Sequence, residues 1–225
     1  MKRALVTGGG TGIGRSIAIA LQQHGLDVVI TGRRAEVLQS TAAAHNLEWV
    51  QGDVVSDPEA ILDHAGPIDV LVNNAGHSIR AAIADWTAED FHALYAVHTV
   101  APAMLAKGFA ARCSGPGRIV HIASTLACRP APHTAAYSAA KAGMLALNRS
   151  LALELAPRGI TANALLPGIV PTDMTAGRLD SLVQLHPVGR LGTGPDVAAA
   201  VVWLVDAPWV TGAEIPVDGG LLIRE

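Results

Sequence analysis

The chain lacks any apolar run able to span a bilayer: the longest, Val197 to Val205, falls far short of the roughly 20 residues needed. No secretory leader is expected either, since only Ala4, Leu5 and Val6 separate Lys2-Arg3 from Thr7 and three glycines, far short of an apolar signal core. It has no surplus of positive charge, with 16 Lys and Arg against 19 Asp and Glu, which argues against a nucleic acid or an anionic membrane as partner. Its two cysteines, Cys113 and Cys128, sit in no disulfide framework and read as reduced thiols. None of its nine histidines falls into a metal-ligand spacing, so no metal is expected. Together these absences point to a cytoplasmic protein.

What is present is a chain of 225 residues, half of them apolar, enough for one domain over residues 1–225 with a sizeable core. Short apolar runs alternate with longer helical stretches, the pattern of strand–helix units building a parallel sheet. Strands are expected near Arg3–Thr7, Val28–Thr31, Glu48–Gln51, Val70–Asn73, Arg118–Ala123, Thr161–Leu166 and Glu214–Val217. Their Val, Ile and Leu content shows little alternation, as in strands covered on both faces. Ser56 with Glu59 predicts a capping box, and Thr87 with Asp90 a weaker one before a helix over Phe91–Arg112. Gly25 and Gly159 stand where helices should stop, and a long packed helix is expected between Tyr137 and Pro157.

The first strand runs into Thr7-Gly8-Gly9-Gly10-Thr11-Gly12-Ile13-Gly14, with a helix expected from about Arg15. Gly8, Gly10, Thr11, Gly12, Ile13 and Gly14 are thereby placed where a pyrophosphate can approach a helix N-terminus, whose free N–H groups and dipole favour anions. After the second strand stand Gly32-Arg33-Arg34, with no carboxylate to take ribose hydroxyls. Two guanidinium groups there suit a 2′-phosphate, which favours NADP(H) over NAD(H).

Tyr137 and Lys141 are four residues apart on one helix face. With two tyrosines and three lysines in the chain, that offset arises by chance about 3% of the time. A phenol titrating near 10 is a weak acid at neutral pH, and an adjacent ammonium, together with the positive nicotinamide of an oxidised cofactor, is expected to favour its anion. Ser124 follows the fifth strand, where a hydroxyl can hold a substrate oxygen. Its surroundings, His121-Ile122-Ala123-Ser124-Thr125, carry no G-x-S-x-G elbow, which disfavours a hydrolase.

Taken together these motifs resemble the short-chain dehydrogenase/reductase family in its compact form, similar to 3-oxoacyl-carrier-protein reductases. The resemblance runs from the glycine turn through Asp53-Val54, Asn73-Asn74-Ala75-Gly76, Ser124, Tyr137, Lys141 and Pro167-Gly168 with Thr172, to Pro216-Val217-Asp218-Gly219-Gly220. It implies a doubly wound seven-stranded parallel sheet of Rossmann type, and assembly as a homotetramer or homodimer. It places Asp53 and Val54 near the adenine, Asn74, Ala75 and Gly76 along the adenosine ribose, and Pro167, Gly168, Val170 and Thr172 toward the nicotinamide. It also implies that Lys141 holds the nicotinamide ribose, and that Tyr137 exchanges the proton while Ser124 steadies the oxygen of a ketone or secondary alcohol.

Where the family has Asn in the helix after this turn, the chain has His98, an imidazole expected to bind a water and carry a proton in a modified relay. The segment 172–187 resembles a shortened substrate lid. Ile79, Leu126, Ala127 and Met174 are expected beside a substrate they do not name, while His133, a further candidate there, reads first as a surface loop histidine. A non-catalytic NADP-binding regulator of the same fold is the alternative. Lyase and dehalogenase relatives lose the glycine turn and the lysine, and enoyl reductases space their Tyr and Lys further apart.

Overall fold

The computed structural model describes residues 2–171 and 179–224, and its centre is a seven-stranded parallel sheet in the order β3-β2-β1-β4-β5-β6-β7. The strands are β1 (Arg3–Thr7), β2 (Asp27–Gly32), β3 (Glu48–Gln51), β4 (Val70–Asn73), β5 (Arg118–Ile122), β6 (Thr161–Pro167) and β7 (Glu214–Val217). All seven expected strands are present, with ends moved by a residue in β2, β5 and β6. The strands β4, β5 and β6 are buried along their whole length, which is why they read as unbroken apolar runs. The edge strands β3 and β7 are only half covered.

Among the described residues eight α-helices join the strands: α1 (Gly12–Gln23), α2 (Ala35–His45), α3 (Pro58–Ala65), α4 (Ala88–Tyr95), α5 (Ala101–Arg112), α6 (Ala135–Leu155), α7 (Leu179–Val183) and α8 (Gly194–Asp206). One face of the sheet packs α1, α2 and α8 through Ile17, Leu21, Leu38, Val201 and Leu204, and the other packs α3, α5 and α6 through Ile61, Leu105, Phe109 and Ala152. Each such fully buried aliphatic or Phe side chain contributes about 1.5–3 kcal/mol relative to exposure. No described helix is long and apolar enough to cross a membrane.

Three local expectations are corrected. The first helix starts at Gly12, not near Arg15, because Thr11 takes the extended N-cap conformation. The helix expected over Phe91–Arg112 begins at Ala88, capped by Thr87 accepting from Asp90 N–H at 3.1 Å, and is interrupted by a π-helical turn at Ala96–Val100. The Ser56–Glu59 box does not form: Pro58 puts Asp57 at the N-cap, and Ser56 instead donates to the Asp57 carboxylate. The one complete capping box, Thr193 with Asp196 at the start of α8, escaped the sequence reading.

Strand order reverses between β1 and β4, whose neighbours lie on opposite sides, and this is the switch point at which an open parallel sheet forms its ligand crevice. Thr7 ties the two strand ends together there. Its hydroxyl donates to Val72 O at 3.2 Å and accepts from the N–H groups of Asn74 and Ala75, each at 2.9 Å.

Candidate active site

A cleft of about 1350 Å³ opens along the carboxyl ends of the strands, from Arg33 and Asp53 at one end, past the glycine turn, to Ser124 and Tyr137. Every expected cofactor-binding residue lines it except Thr172, which with Met174 lies outside the described residues. In the glycine turn, a Cβ at Gly14 would come within 2.3 Å of Gly8 O, so strand and helix close on each other only without a side chain there. Gly8 and Gly12 have φ of 64° and 53°, a conformation glycine adopts at no steric cost. The Thr11 side chain makes no cap bond, and no acidic residue occupies the first turn of α1. That helix end therefore presents uncapped N–H donors and an unopposed dipole, a fit for a pyrophosphate.

Asn74, which lines the cleft as expected, also braces the glycine turn: its amide donates to Thr7 O at 2.8 Å and to Gly8 O at 3.3 Å. Arg33 and Arg34 both line the nucleotide end, and no carboxylate stands at the end of β2.

At the other end, α6 brings Tyr137 and Lys141 to the cleft beside Ser124, whose hydroxyl caps the short 3-10 turn Thr125–Ala127 by accepting from Leu126 N–H at 3.1 Å. The lysine lies 5.8 Å from the centre of the tyrosine ring and donates to Ile122 O at 2.6 Å. Burial pushes Lys141 down to about 7. Burial pushes Tyr137 up to about 12, and the Ser124 hydroxyl beside it only partly offsets this. In the protein alone the lysine does not acidify the tyrosine; the expected acidification counts on the positive nicotinamide as well. The phenol is held protonated and the ammonium is the group poised to lose its proton, because desolvation disfavours whichever form is charged.

His98 sits in the π turn, 5.2 Å from the Tyr137 ring in an edge-on arrangement. Its Nε2 lies 2.7 Å from His77 O and so carries the proton of that bond. Burial, with the Lys141 charge adding to it, pushes its pKa down to about 2. The ring stays neutral, and Nδ1 is an acceptor with no protein partner among the described residues. The expected proton-carrying imidazole is therefore corrected to a fixed neutral one, able to accept a hydrogen bond but not to ionise near neutral pH. Its ring also fills the space beside Gly76, where a Cβ would meet His98 Cε1 at 2.1 Å.

A second histidine, His186, was not singled out by the sequence. It is buried, its Nε2 accepts from Ile169 N–H at 3.2 Å, and its Nδ1 donates to Leu182 O at 3.1 Å. The ring packs on Gly168 and Gly219. It thereby ties the cleft-lining loop after β6 to α7 and to the turn after β7, all from within the segment read as a lid. Of the residues expected beside the substrate, Ile79 and Leu126 line the cleft. Ala127 instead packs against Met144 and Leu145, and His133 is exposed with φ of 66°.

The sheet order, the anion-accepting turn at its switch point and the Ser124, Tyr137 and Lys141 group together define a dinucleotide-dependent oxidoreductase. Comparison with known proteins narrows the class. Residues 8–222 match the family described as enoyl-(acyl carrier protein) reductase. Carbonyl reductase family member 4 of Danio rerio is 37% identical over 97% of this chain and 97% of its own. The 3-oxoacyl-[acyl-carrier-protein] reductase of Rattus norvegicus is 35% identical over 98% of each. Among solved structures, a blue fluorescent protein from a metagenomic library in complex with NADPH superposes with a TM-score of 0.92 at 32% identity, over 98% of this chain and 97% of that one. A dehydrogenase/reductase from Sinorhizobium meliloti gives 0.91 at 33%, over 98% and 94%. The chain belongs to the short-chain dehydrogenase/reductase family, and it is an NAD(P)-dependent oxidoreductase.

Proposed function

We propose that the protein reduces a ketone or 3-oxoacyl-type carbonyl to a secondary alcohol with NADPH, or runs the reverse reaction, with Tyr137 as general acid/base. The observation that carries this reading is the convergence of Tyr137, Ser124 and Lys141 on one end of the cleft whose other end holds the glycine turn and the Arg33–Arg34 pair. The overall change is R₂C=O + NADPH + H⁺ → R₂CHOH + NADP⁺, and the nicotinamide, when bound, supplies the hydride. The backbone of Gly10 to Gly14 would hold the pyrophosphate, Arg33 and Arg34 the 2′-phosphate, Asp53 and Val54 the adenine, and Lys141 the nicotinamide ribose. Thr172 is placed toward the nicotinamide by resemblance alone.

The Ser124 hydroxyl donates to the substrate oxygen and fixes its position. Tyr137, kept protonated by burial, delivers its proton to that oxygen as negative charge develops on it. Lys141, 5.8 Å from the ring centre, can stabilise the tyrosinate left behind, and with a pKa of about 7 it can return the proton. His98 acts through position, anchoring the strand β4 turn at His77 and offering Nδ1 as an acceptor to the relay. The preference for NADP(H) rests on the two guanidinium groups, and a cytoplasmic location and a homotetramer or homodimer complete the reading.

The test is NADPH oxidation followed across a panel of ketones and 3-oxo thioesters, with NADH in parallel and Tyr137→Phe as control. Turnover with NADPH, lost in the variant, is expected. Tight NADPH binding with no turnover anywhere in the panel would leave the non-catalytic regulator as the better account.

A further inference from the structure

Six arginines line the cleft, against a single carboxylate, Asp53, among the described lining residues. This inverts the balance of the chain as a whole, in which acids outnumber Lys and Arg by 19 to 16. Arg15, Arg33 and Arg34 flank the glycine turn and the end of β2, where the phosphates of a dinucleotide account for them. Arg80, Arg129 and Arg224 do not belong to that end. Arg80 follows the Asn74–Gly76 turn, Arg129 follows Ser124 on the active-site loop, and Arg224 is on the tail after β7.

Two of these segments, the active-site loop and the tail, are bonded to each other. Arg129 Nη1 donates to Leu221 O at 3.3 Å and to Arg224 O at 3.0 Å, tying the active-site loop to the tail. Arg3, Arg112, Arg149 and Arg190 each pair with a carboxylate elsewhere on the surface. Among the described residues Arg80, Arg129 and Arg224 form no such pair. The lining also includes the apolar side chains Ile79, Leu126, Leu182, Leu185 and Leu221. Apolar lining together with guanidinium groups that have no carboxylate partner among the described residues suits a short carbon chain ending in an anion, and the planar fork of arginine matches a carboxylate in particular.

We propose that the substrate is an oxo acid, whose carbonyl lies at Ser124 and Tyr137 and whose carboxylate is held by Arg80, Arg129 and Arg224. The proposal rests on the carbonyl-reductase reading above. The excess of positive charge would also draw such an anion into the cleft at low ionic strength.

The experiment compares 3-oxobutanoate, 4-oxopentanoate and 5-oxohexanoate with their methyl esters, at fixed NADPH, in the wild type and in Arg80→Gln, Arg224→Gln and the double variant. For at least one spacing the acid should exceed its ester in kcat/KM by about tenfold or more, the advantage shrinking with added salt and collapsing in the double variant. Arg80→Glu should reverse the preference, and NADPH affinity reports that each variant is folded. Esters used as well as acids at every spacing would overturn the proposal, as would an acid advantage that survives the double variant. So would a preference confined to a 3-oxoacyl coenzyme A thioester over its phosphate-free N-acetylcysteamine analogue, which would assign the arginines to a phosphate instead. Calorimetric titration of the same acids into the NADP⁺-loaded protein separates the two claims. Arginine-dependent binding without turnover would sink the carbonyl-reductase reading and keep the anion site, while turnover of esters without acid binding would do the opposite.

Discussion

At Lys141 and Tyr137 the same burial acts on two groups of opposite type and drives their proton affinities apart, the phenol's up and the ammonium's down. The tyrosine, at about 12, stays a phenol, and the lysine, at about 7, becomes the titrating member. For the free enzyme this arrangement favours carbonyl reduction, where a proton must be given, over alcohol oxidation, where a tyrosinate is needed. The profile of kcat/KM for NADPH, which reports groups of the free enzyme, should be flat in mild acid and fall about tenfold per pH unit above about 7. Lys141→Arg, which keeps its charge throughout that range, should remove the limb.

Tyr137→Phe should lower kcat by about 10²–10⁴ with little change in NADPH affinity. Linkage gives a further consequence. Because the folded pKa of Lys141 lies below its ordinary 10.5, its burial costs stability in full below about pH 7, and the cost lifts as pH rises toward 10.5. Lys141→Met should therefore be inactive yet more stable at pH 7, by on the order of 1–4 kcal/mol in denaturant unfolding. Equal or lower stability would show that the lysine is not the strained group described here. The spacing of Tyr137, Lys141 and Ser124 was legible because it is a property of one helix and one strand end. The direction of the pKa shifts was not, since burial is a property of everything packed around them.

Two elements are positioned by histidines that act on backbone atoms. The π turn places His98 where its Nε2–H reaches His77 O, directly after the turn that lines the nucleotide side. Asn can make the same donation, so His98→Asn should stay within a few-fold of wild type, whereas His98→Leu should raise KM for NADPH and lower kcat together. A large gain in His98→Asn would mean that the imidazole impairs the relay. His186 does the equivalent for the loop after β6, through Ile169 and Leu182. His186→Leu should cost about 1–3 kcal/mol of stability and raise KM for NADPH more than it lowers kcat, with partial rescue by Gln. The position of His98 could be read by resemblance, but not the π turn, because its apolar neighbours keep the helical period on either side. His186 was invisible for a different reason: its partners are main-chain atoms from distant segments, which no local pattern encodes.

Across the whole molecule, strand positions along the chain could be read almost completely, because buried parallel strands advertise themselves as continuous Val, Ile and Leu runs. Helix ends were read less well, as Gly12 and Asp57 show, where one residue's backbone angle decides the start. The nucleotide end of the cleft makes a selectivity prediction: Arg33→Ser with Arg34→Ser should raise KM for NADPH at least about tenfold while leaving NADH nearly unchanged, reversing the preference. The outer surface leaves Tyr95, Val100 and Met104 exposed along α4, the π turn and α5, with Leu153 on α6. If the chain assembles through its long helices, Val100→Glu with Met104→Glu should reduce the mass measured by light scattering to that of a monomer. The most direct test of carbonyl reduction uses NADPH carrying deuterium at the transferable C4 position and an α,β-unsaturated ketone, which offers both a C=O and a C=C bond. Deuterium on the carbinol carbon of an allylic alcohol, absent in Tyr137→Phe, is the result expected here; deuterium on the β-carbon of a saturated ketone would contradict it.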